Sequence, residues 1–213
     1  ELIHAMKISA TKAAETHKML AAWTDNPTTT RPAIDAFIGD IYSGLQVASL
    51  TADDRAYANR HLLILSGLYG GLRALDSVSP YRLEMGYLLP NGRYRNLYKF
   101  WGDKLAKLLP FETAAIVNLS AVEYTKALLP YAPQPVVTPK FLTISPKTGE
   151  PTFIVVHAKI ARGAFARWMI VNRVDDVARL REFDELGYVY DAAASTPEQP
   201  VYVCQEFGGL GLS

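Results

Sequence analysis

The sequence predicts an α/β protein with one domain over residues 1–213, in which a mixed sheet is flanked by helices. Short apolar runs alternate with segments of helical periodicity through much of the chain, which is the pattern of this class. Hydrophobic residues make up 49% of the chain and charged residues 20%, so a disordered chain is excluded. No internal repeat and no convincing linker are visible, which disfavours solenoids and separate domains.

The N-terminal segment is predicted to contain two helices in succession. Residues 1–23 have helical periodicity, and a break is expected near Ile8. Ser9 is a good N-cap, because its hydroxyl can accept a hydrogen bond from a free backbone N–H, so a second helix is expected over 10–23.

A strand and a third helix are expected next. The apolar run at 33–38 favours a buried strand followed by a turn. Thr51 is predicted to cap a helix whose first turn contains Asp53 and Asp54, where the helix dipole favours acidic side chains.

The remaining elements are predicted from the same signals of periodicity, capping and turn residues. A helix over 96–109 is expected to stop before Pro110, and a strand over 201–207 is expected to lie at a sheet edge. The other predicted strands are 61–65, 114–119 and the pair 136–144 and 153–157; the other predicted helices are 121–129, 162–174 and 177–183.

The sequence also restricts the cellular compartment. Cys204 is the only thiol, so no internal disulfide can form, whereas secreted chains of this size more often carry paired cysteines. No apolar run is long enough for a membrane span, and the first residues lack the pattern of a signal peptide. We therefore expect a soluble cytoplasmic protein with no membrane partner; the oligomeric state is not indicated.

Charge is unevenly distributed although the formal net charge is only +1. Residues 55–107 contain nine basic and three acidic side chains, whereas residues 174–213 contain two basic and eight acidic ones. Such a chain can present a basic face while it stays nearly neutral overall.

The clearest basic segment is 159–173, which contains four basic residues and no acid: Lys159, Arg162, Arg167 and Arg173. On a helix these bases lie opposite the apolar side chains, with Gly163 on the basic side, where it leaves the backbone open to close approach. Guanidinium groups in this arrangement suit phosphate oxygens. The alternative is the solvated face of an ordinary surface helix.

Several predicted strands end in polar residues, which indicates a second kind of site. If these strands are parallel, their ends meet in one crevice, where open α/β sheets bind ligands. The expected pocket residues are Asp40, Ser66, Tyr69, Glu84, Trp101, Asn118 and His157. The glycine-rich stretch at 66–71 matches neither a P-loop nor a dinucleotide fingerprint, so a tight turn is the alternative interpretation.

The sequence contains no motif for a metal site or for covalent catalysis. The four histidines share no metal-ligand spacing and a single cysteine cannot build a thiolate site, so we expect no metal and no cofactor. Arg82 and Glu84 would share one face of a strand, as a catalytic pair or as a structural ion pair.

Several motifs follow one another along nearly the whole sequence. They are AIDAFIGDIYSGL at 33–45, LSGLYGGLR at 65–73, PYRLEMG at 80–86, LYKFWGD at 97–103, VNLS at 117–120 with EY at 123–124, AKIARG at 158–163 and NR at 172–173. Together and in this order they resemble the YaaA family of bacterial peroxide stress resistance proteins.

The resemblance implies properties that spacing alone does not show. It implies a cytoplasmic α/β domain with a positively charged cleft, a helix-hairpin-helix element, and binding to double-stranded or structured DNA. It also implies a role in limiting peroxide damage, partly by keeping free iron low. Residues 2–23 are similar to the helix-hairpin-helix, although without a hairpin glycine; the first strand of the family is not found in the sequence.

We therefore expect a non-enzymatic DNA-binding stress protein. The expected phosphate contacts are Lys7, Lys12, Arg73, Arg82, Lys159, Arg162, Arg167 and Arg173. The alternatives are an enzyme that acts on a nucleotide, nucleoside or modified base in the strand-end pocket, and a regulatory or iron-homeostasis partner with neither activity.

Overall fold

A computed structural model describes residues 3, 6, 8–23, 30–89, 93–112 and 114–211. These residues belong to two compact units, each built from separate stretches of chain. The first unit draws on 1–36, 59–109 and 122–132, and the second on 37–58, 110–121 and 133–213. The expectation of one domain over 1–213 stays a prediction.

The second unit contains the mixed sheet that the sequence predicts. Its strands are β5 (Lys140–Ile144), β6 (Pro151–Thr152), β7 (Tyr188–Tyr190) and β8 (Val201–Cys204), in the spatial order β6-β5-β8-β7. The β5–β8 pair is parallel, with Phe141 opposite Tyr202, and the two outer pairs are antiparallel. The α/β class with a mixed sheet is therefore confirmed.

A long helix covers this sheet. This helix, Val155–Val171, buries a face that includes Ala158, Ala161, Phe165 and Trp168. Around Phe141 the rings meet mostly edge to face, which is the favoured geometry for buried aromatics. The ring cluster consists of Phe141, Phe165, Trp168, Phe183, Tyr188 and Tyr202.

A short helix, Asp40–Leu45, crosses the long helix at backbone-to-backbone distance. A methyl group at Gly163 would overlap the Ile41 carbonyl oxygen, and one at Gly44 would overlap the Ile160 carbonyl oxygen. Only glycine permits this approach at both positions, since any side chain would force the two backbones apart.

In the first unit, two small antiparallel pairs lie beside a separate core. β1 (Arg31–Pro32) pairs with β4 (Ser77–Val78), and β2 (Leu63–Ser66) pairs with β3 (Gly70–Arg73). The core contains Met85, Leu97, Leu105, Ala127 and Leu128.

The helices, in chain order, are α1 (Ala10–Ala21), α2 (Ala33–Ala36), α3 (Asp40–Leu45), α4 (Ala52–His61), α5 (Leu97–Trp101), α6 (Val122–Leu128) and α7 (Val155–Val171). Short 3₁₀ helices are Val47–Ser49, Ala106–Leu108, Leu129–Tyr131, Val177–Glu182 and Glu185–Gly187. No described helix is both long enough and apolar enough to cross a bilayer.

Several local predictions are confirmed. Ser9 caps α1 by accepting a hydrogen bond from the Lys12 N–H, and Thr51 caps α4 by accepting one from the Asp54 N–H. Asp54 returns the interaction by accepting from the Thr51 N–H, which completes a reciprocal cap. The helices predicted over 121–129 and 177–183 are also present, the second as a 3₁₀ helix.

The strand predicted over 33–38 is wrong, because these residues begin with α2. The N–H groups of Ala33 and Ile34 donate to the carbonyls of Asp76 and Ala74, so a turn anchors the first residues of the helix. A short apolar run does not distinguish a buried strand from a buried helix, and tertiary anchoring decides between them.

The strand predicted over 153–157 is also wrong, since α7 starts at Val155 and only Pro151–Thr152 pairs with β5. The apolar periodicity that begins there continues through Phe165 with helical spacing. The strand predicted over 201–207 forms as β8, but it lies inside the sheet because β7, which was not predicted, covers its outer side.

Three further boundaries differ from the prediction. The helix predicted over 96–109 ends at Trp101, where Gly102 takes a positive φ of 51° that side chains disfavour. The strand predicted over 114–119 is reduced to one bridge between Val117 and Val137, and His61 belongs to α4 rather than to β2.

The helix-hairpin-helix element over 1–23 is not confirmed. Its second helix is α1, whereas Lys7 and most of the preceding segment lie outside the described residues. The prediction for that segment therefore stays a prediction.

We expect Gly44→Ala and Gly163→Ala each to lower the free energy of unfolding by about 1–3 kcal/mol or more, because the added methyl group meets backbone atoms that cannot move aside independently. Urea unfolding measures the change. Gly86→Ala is the matched control, since nothing lies within 4 Å of its added methyl group. If all three variants unfold at the same urea concentration, the close crossing is not a constraint.

Candidate basic site on helix α7

The basic face of α7 meets α3 at an ion pair. Lys159 Nζ lies 3.3 Å from Asp40 Oδ2, and both side chains are about two-fifths exposed. Asp40 is the first residue of α3, so the crossing of the two helices places its carboxylate beside α7. The backbone at Gly163, which the sequence suggested could approach a phosphate, is instead covered by α3.

Arg162 lies one turn beyond Lys159 and has a different environment. Its guanidinium is half-buried, and burial lowers its pKa because the charged form loses hydration. One guanidinium nitrogen donates a long hydrogen bond, 3.4 Å, to the Ser120 carbonyl oxygen. Among the described residues, no carboxylate forms an ion pair with Arg162.

The loop that supplies this carbonyl is ordered by Asn118. The Asn118 amide oxygen accepts from the Ser120 N–H at 3.1 Å and from the Ser120 hydroxyl at 2.7 Å, while its amide nitrogen donates to the Thr138 hydroxyl at 3.4 Å. Asn118 is 7% exposed, so it acts from inside the protein and holds the backbone that faces Arg162.

The other two arginines of the segment are neutralised. Arg167 lies 3.4 Å from a Glu185 carboxylate oxygen and donates to the Ser49 hydroxyl at 3.0 Å. Arg173 lies 2.8 Å from Asp54 and over the Tyr57 ring at 4.7 Å. The pKa of Asp54 is lowered chiefly by its hydrogen bonds to Thr51 and further by Arg173.

The predicted phosphate contacts of the first unit also include both paired and unpaired cations. Arg82 is paired with Glu84 at 3.0 Å, whereas Arg73 is exposed and donates to the Arg60 carbonyl oxygen at 3.0 Å. Lys12 is exposed on α1. No ion pair joins Lys12 or Arg73 to a described carboxylate.

Ser66 and Tyr69, two of the predicted pocket residues, belong to a structural network. The fully buried Ser66 hydroxyl lies 2.6 Å from the Tyr81 hydroxyl and accepts from the N–H groups of Leu68 and Tyr69. Burial raises the pKa of Tyr81. The Tyr69 hydroxyl accepts from the Ser79 N–H, so these contacts fix the turn between β2 and β3.

Trp101 supports the same turn. Its indole N–H donates to the Gly67 carbonyl oxygen at 3.0 Å, and its ring covers Gly70, where a methyl group would collide with it. The glycine-rich stretch is thus a tight hairpin held by an aromatic side chain, as in the alternative interpretation of the sequence. Glu84 forms an ion pair with Arg82 in the same unit.

His157 lies in the first turn of α7 rather than at a strand end. Its Nδ1 is 3.0 Å from the Thr143 hydroxyl, and its ring stacks on Phe207 with centroids 4.0 Å apart. Burial lowers its pKa. Asp40 likewise begins a helix, so neither residue follows a strand. Convergence of the seven predicted pocket residues on one crevice stays a prediction.

Some contacts had no signal in the sequence. The partners Asp54 and Glu185 are remote along the chain from the arginines that they neutralise, and the Ser120 carbonyl carries no side-chain signature. The cap at Thr51, by contrast, was recognisable as a local pattern. In the described part of the chain, no three His, Cys, Asp or Glu side chains are grouped so that they could hold a metal ion.

Comparisons with known proteins match nearly the whole chain. A family model described as "Peroxide stress protein YaaA" matches residues 1–194. A UPF0246 protein of Salinispora tropica is 57% identical over 210 residues, which cover 98% of this chain and 80% of that protein. UPF0246 proteins of Roseobacter denitrificans and Burkholderia cenocepacia are 45% and 42% identical, covering 83% and 92% of this chain and 71% and 79% of those proteins.

The lowered pKa of His157 predicts a pH-dependent stability. The unfolded state binds a proton below about 6.5, but the folded state binds it only at lower pH. The contribution of neutral His157 to the free energy of unfolding is therefore complete above about pH 6.5. It decreases as the pH falls from about 6.5 to the lower pKa of the folded state. Urea unfolding at several pH values should show that His157→Gln weakens this dependence. The exposed His61→Gln is the control, and an equal effect of both variants would contradict the assignment.

Proposed function

The chain belongs to the peroxide stress protein YaaA family, and on this basis we propose that it is a cytoplasmic protein that binds the phosphate backbone of double-stranded or structured DNA during peroxide stress. Binding would shield DNA from oxidative damage, and a contribution to keeping free iron low is part of the same proposal. The family resemblance predicted from the motifs is confirmed by the comparisons.

The observation that carries the proposal is a set of cationic side chains without a described carboxylate partner. Its members among the predicted contacts are Lys12, Arg73 and Arg162. Phosphate groups are the natural partners of such cations, since each contact releases condensed counterions from the nucleic acid. The neutralised residues Arg82, Lys159, Arg167 and Arg173 are weaker candidates, because a phosphate must first compete with their carboxylates.

A cluster of further cations in the first unit supports the same function. Arg93, Arg95 and Lys99 are exposed and form no ion pair with a described acid. Beside them, Lys104 lies over the Phe100 ring at 4.7 Å, and Phe100 keeps 36% of its surface exposed. Cations next to an exposed ring suit a nucleic acid better than they suit an acidic peptide, because bases can stack where phosphates bind.

These contacts would be largely independent of sequence. They come from long basic side chains on helix and hairpin surfaces rather than from a helix that presents amide side chains to base edges. We therefore expect similar affinity for duplexes of different sequence and a strong dependence on salt.

We expect the affinity for a labelled DNA duplex, measured by fluorescence anisotropy, to fall linearly on a log–log plot against salt concentration. Lys12→Ala, Arg73→Ala and Arg162→Ala should each weaken binding and reduce the slope by about 1, because each removes one phosphate contact.

Arg179→Ala is the matched control, since Arg179 is already paired with Glu182 at 3.2 Å in an acidic stretch of the chain. It should keep the wild-type affinity and slope. Affinity that is unchanged from low to high salt would refute binding through the phosphate backbone.

A further inference from the structure

The environment of Arg162 is unusual for a charged side chain. Its guanidinium is half-buried and loses hydration, yet no described carboxylate approaches it. Buried charges are normally paired, because an unpaired charge in a protein interior is strongly destabilising. The other arginines of the 159–173 segment follow this rule, since Arg167 is paired with Glu185 and Arg173 with Asp54.

The guanidinium also retains most of its hydrogen-bonding capacity. Its five N–H donors are arranged as a rigid fork, and the structure gives it a single acceptor, the Ser120 carbonyl oxygen at the long distance of 3.4 Å. None of its nitrogens is both buried and without an acceptor. The unused side of the fork is therefore open to solvent and to a ligand.

A second cation is attached to α7 one turn before Arg162. Lys159 is three positions earlier on α7, so the two side chains leave neighbouring points of the helix surface, with Cβ atoms about 5–6 Å apart. Its ammonium group is held by Asp40 at 3.3 Å, in a pair that is partly exposed and therefore weak. An anion can therefore replace Asp40 as the partner of the Lys159 ammonium group at a small cost in free energy.

The local backbone is rigid enough to keep this arrangement. The crossing at Gly44 and Gly163 fixes α3, and with it Asp40, against α7. Asn118 fixes the loop that presents the Ser120 carbonyl to Arg162. Rigid supports of this kind lower the entropic cost of binding a small ligand.

We propose that Arg162 and Lys159 bind one phosphate group, with Arg162 contacting two of its oxygens and Lys159 exchanging Asp40 for a third. A guanidinium fork matches two phosphate oxygens, and an ammonium group adds a point charge. Asp40 is then a competing anion that holds Lys159 until the phosphate arrives. The inference rests on the proposed function insofar as the phosphate is a backbone phosphodiester; a terminal phosphate of a mononucleotide has the same chemistry.

The experiment measures binding of inorganic phosphate, deoxyadenosine 5′-monophosphate and a DNA duplex to the full chain, by calorimetry for the small ligands and anisotropy for the duplex. Arg162→Gln should weaken phosphate binding roughly tenfold or more, because charge-assisted hydrogen bonds are lost. Arg162→Lys, which keeps the charge without the fork, should lose part of the affinity and guards against a folding defect in the glutamine variant. Urea unfolding checks that each variant is folded.

Asp40→Asn should strengthen phosphate binding severalfold, because it removes the anion that competes for Lys159. Arg181→Gln is the matched control, as an exposed arginine of the same unit that lies outside this site. A loss of phosphate affinity on Asp40→Asn, or equal losses for Arg162→Gln and Arg181→Gln, would overturn the inference.

The three ligands separate this inference from the proposed function. Preference for the monophosphate identifies a terminal phosphate, and preference for the duplex identifies a backbone phosphate; both support the site if Arg162→Gln abolishes the preference. If the duplex binds with the expected salt dependence while Arg162→Gln leaves the affinity for all three ligands unchanged, the inference fails and the proposed function stands. If phosphate binds through Arg162 but the duplex does not bind, the proposed function fails and the inference stands.

Discussion

The contact between α3 and α7 is the constraint on which the second unit depends. Gly44 and Gly163 let two backbones meet where any larger residue would separate them. Because the two helices are fixed at that point, Asp40 lies beside Lys159 at the border of the basic face of α7. The opposite face of the same helix is held by the aromatic cluster around Phe141 and Phe165, so α7 has no freedom to rotate.

Local signals predicted the parts of the fold that local physics controls. The caps at Ser9 and Thr51 are examples, since a hydroxyl and the N–H groups that it satisfies are close in sequence. Elements that depend on distant partners were missed. β3 begins with two glycines and has little strand propensity of its own, and it forms because β2 and Trp101 flank it. Apolar runs at 33–38 and 153–157 suited either kind of element, and tertiary contacts made both helical at least in part.

The candidate site shows the same division. The sequence identified the basic stripe of α7, because helical periodicity is visible in one segment. It did not show which of these charges are cancelled, since their acidic partners are remote along the chain. The decisive difference between Arg162 and its neighbours is therefore a property of the folded protein. Charge counted along a sequence locates a basic surface, whereas the pairing of each group decides what that surface can still bind.

The order of strands in the mixed sheet has a consequence for biosynthesis. Among the described strands, β8 comes after β5 and β7 in the sequence, yet it lies between them and joins them. Until the ribosome has released the residues of β8, β5 presents an unpaired edge on that side and β7 has no partner in this sheet. The nascent chain thus completes this sheet only when β8 has been synthesised, and until then it presents open edges to chaperones and to other nascent chains.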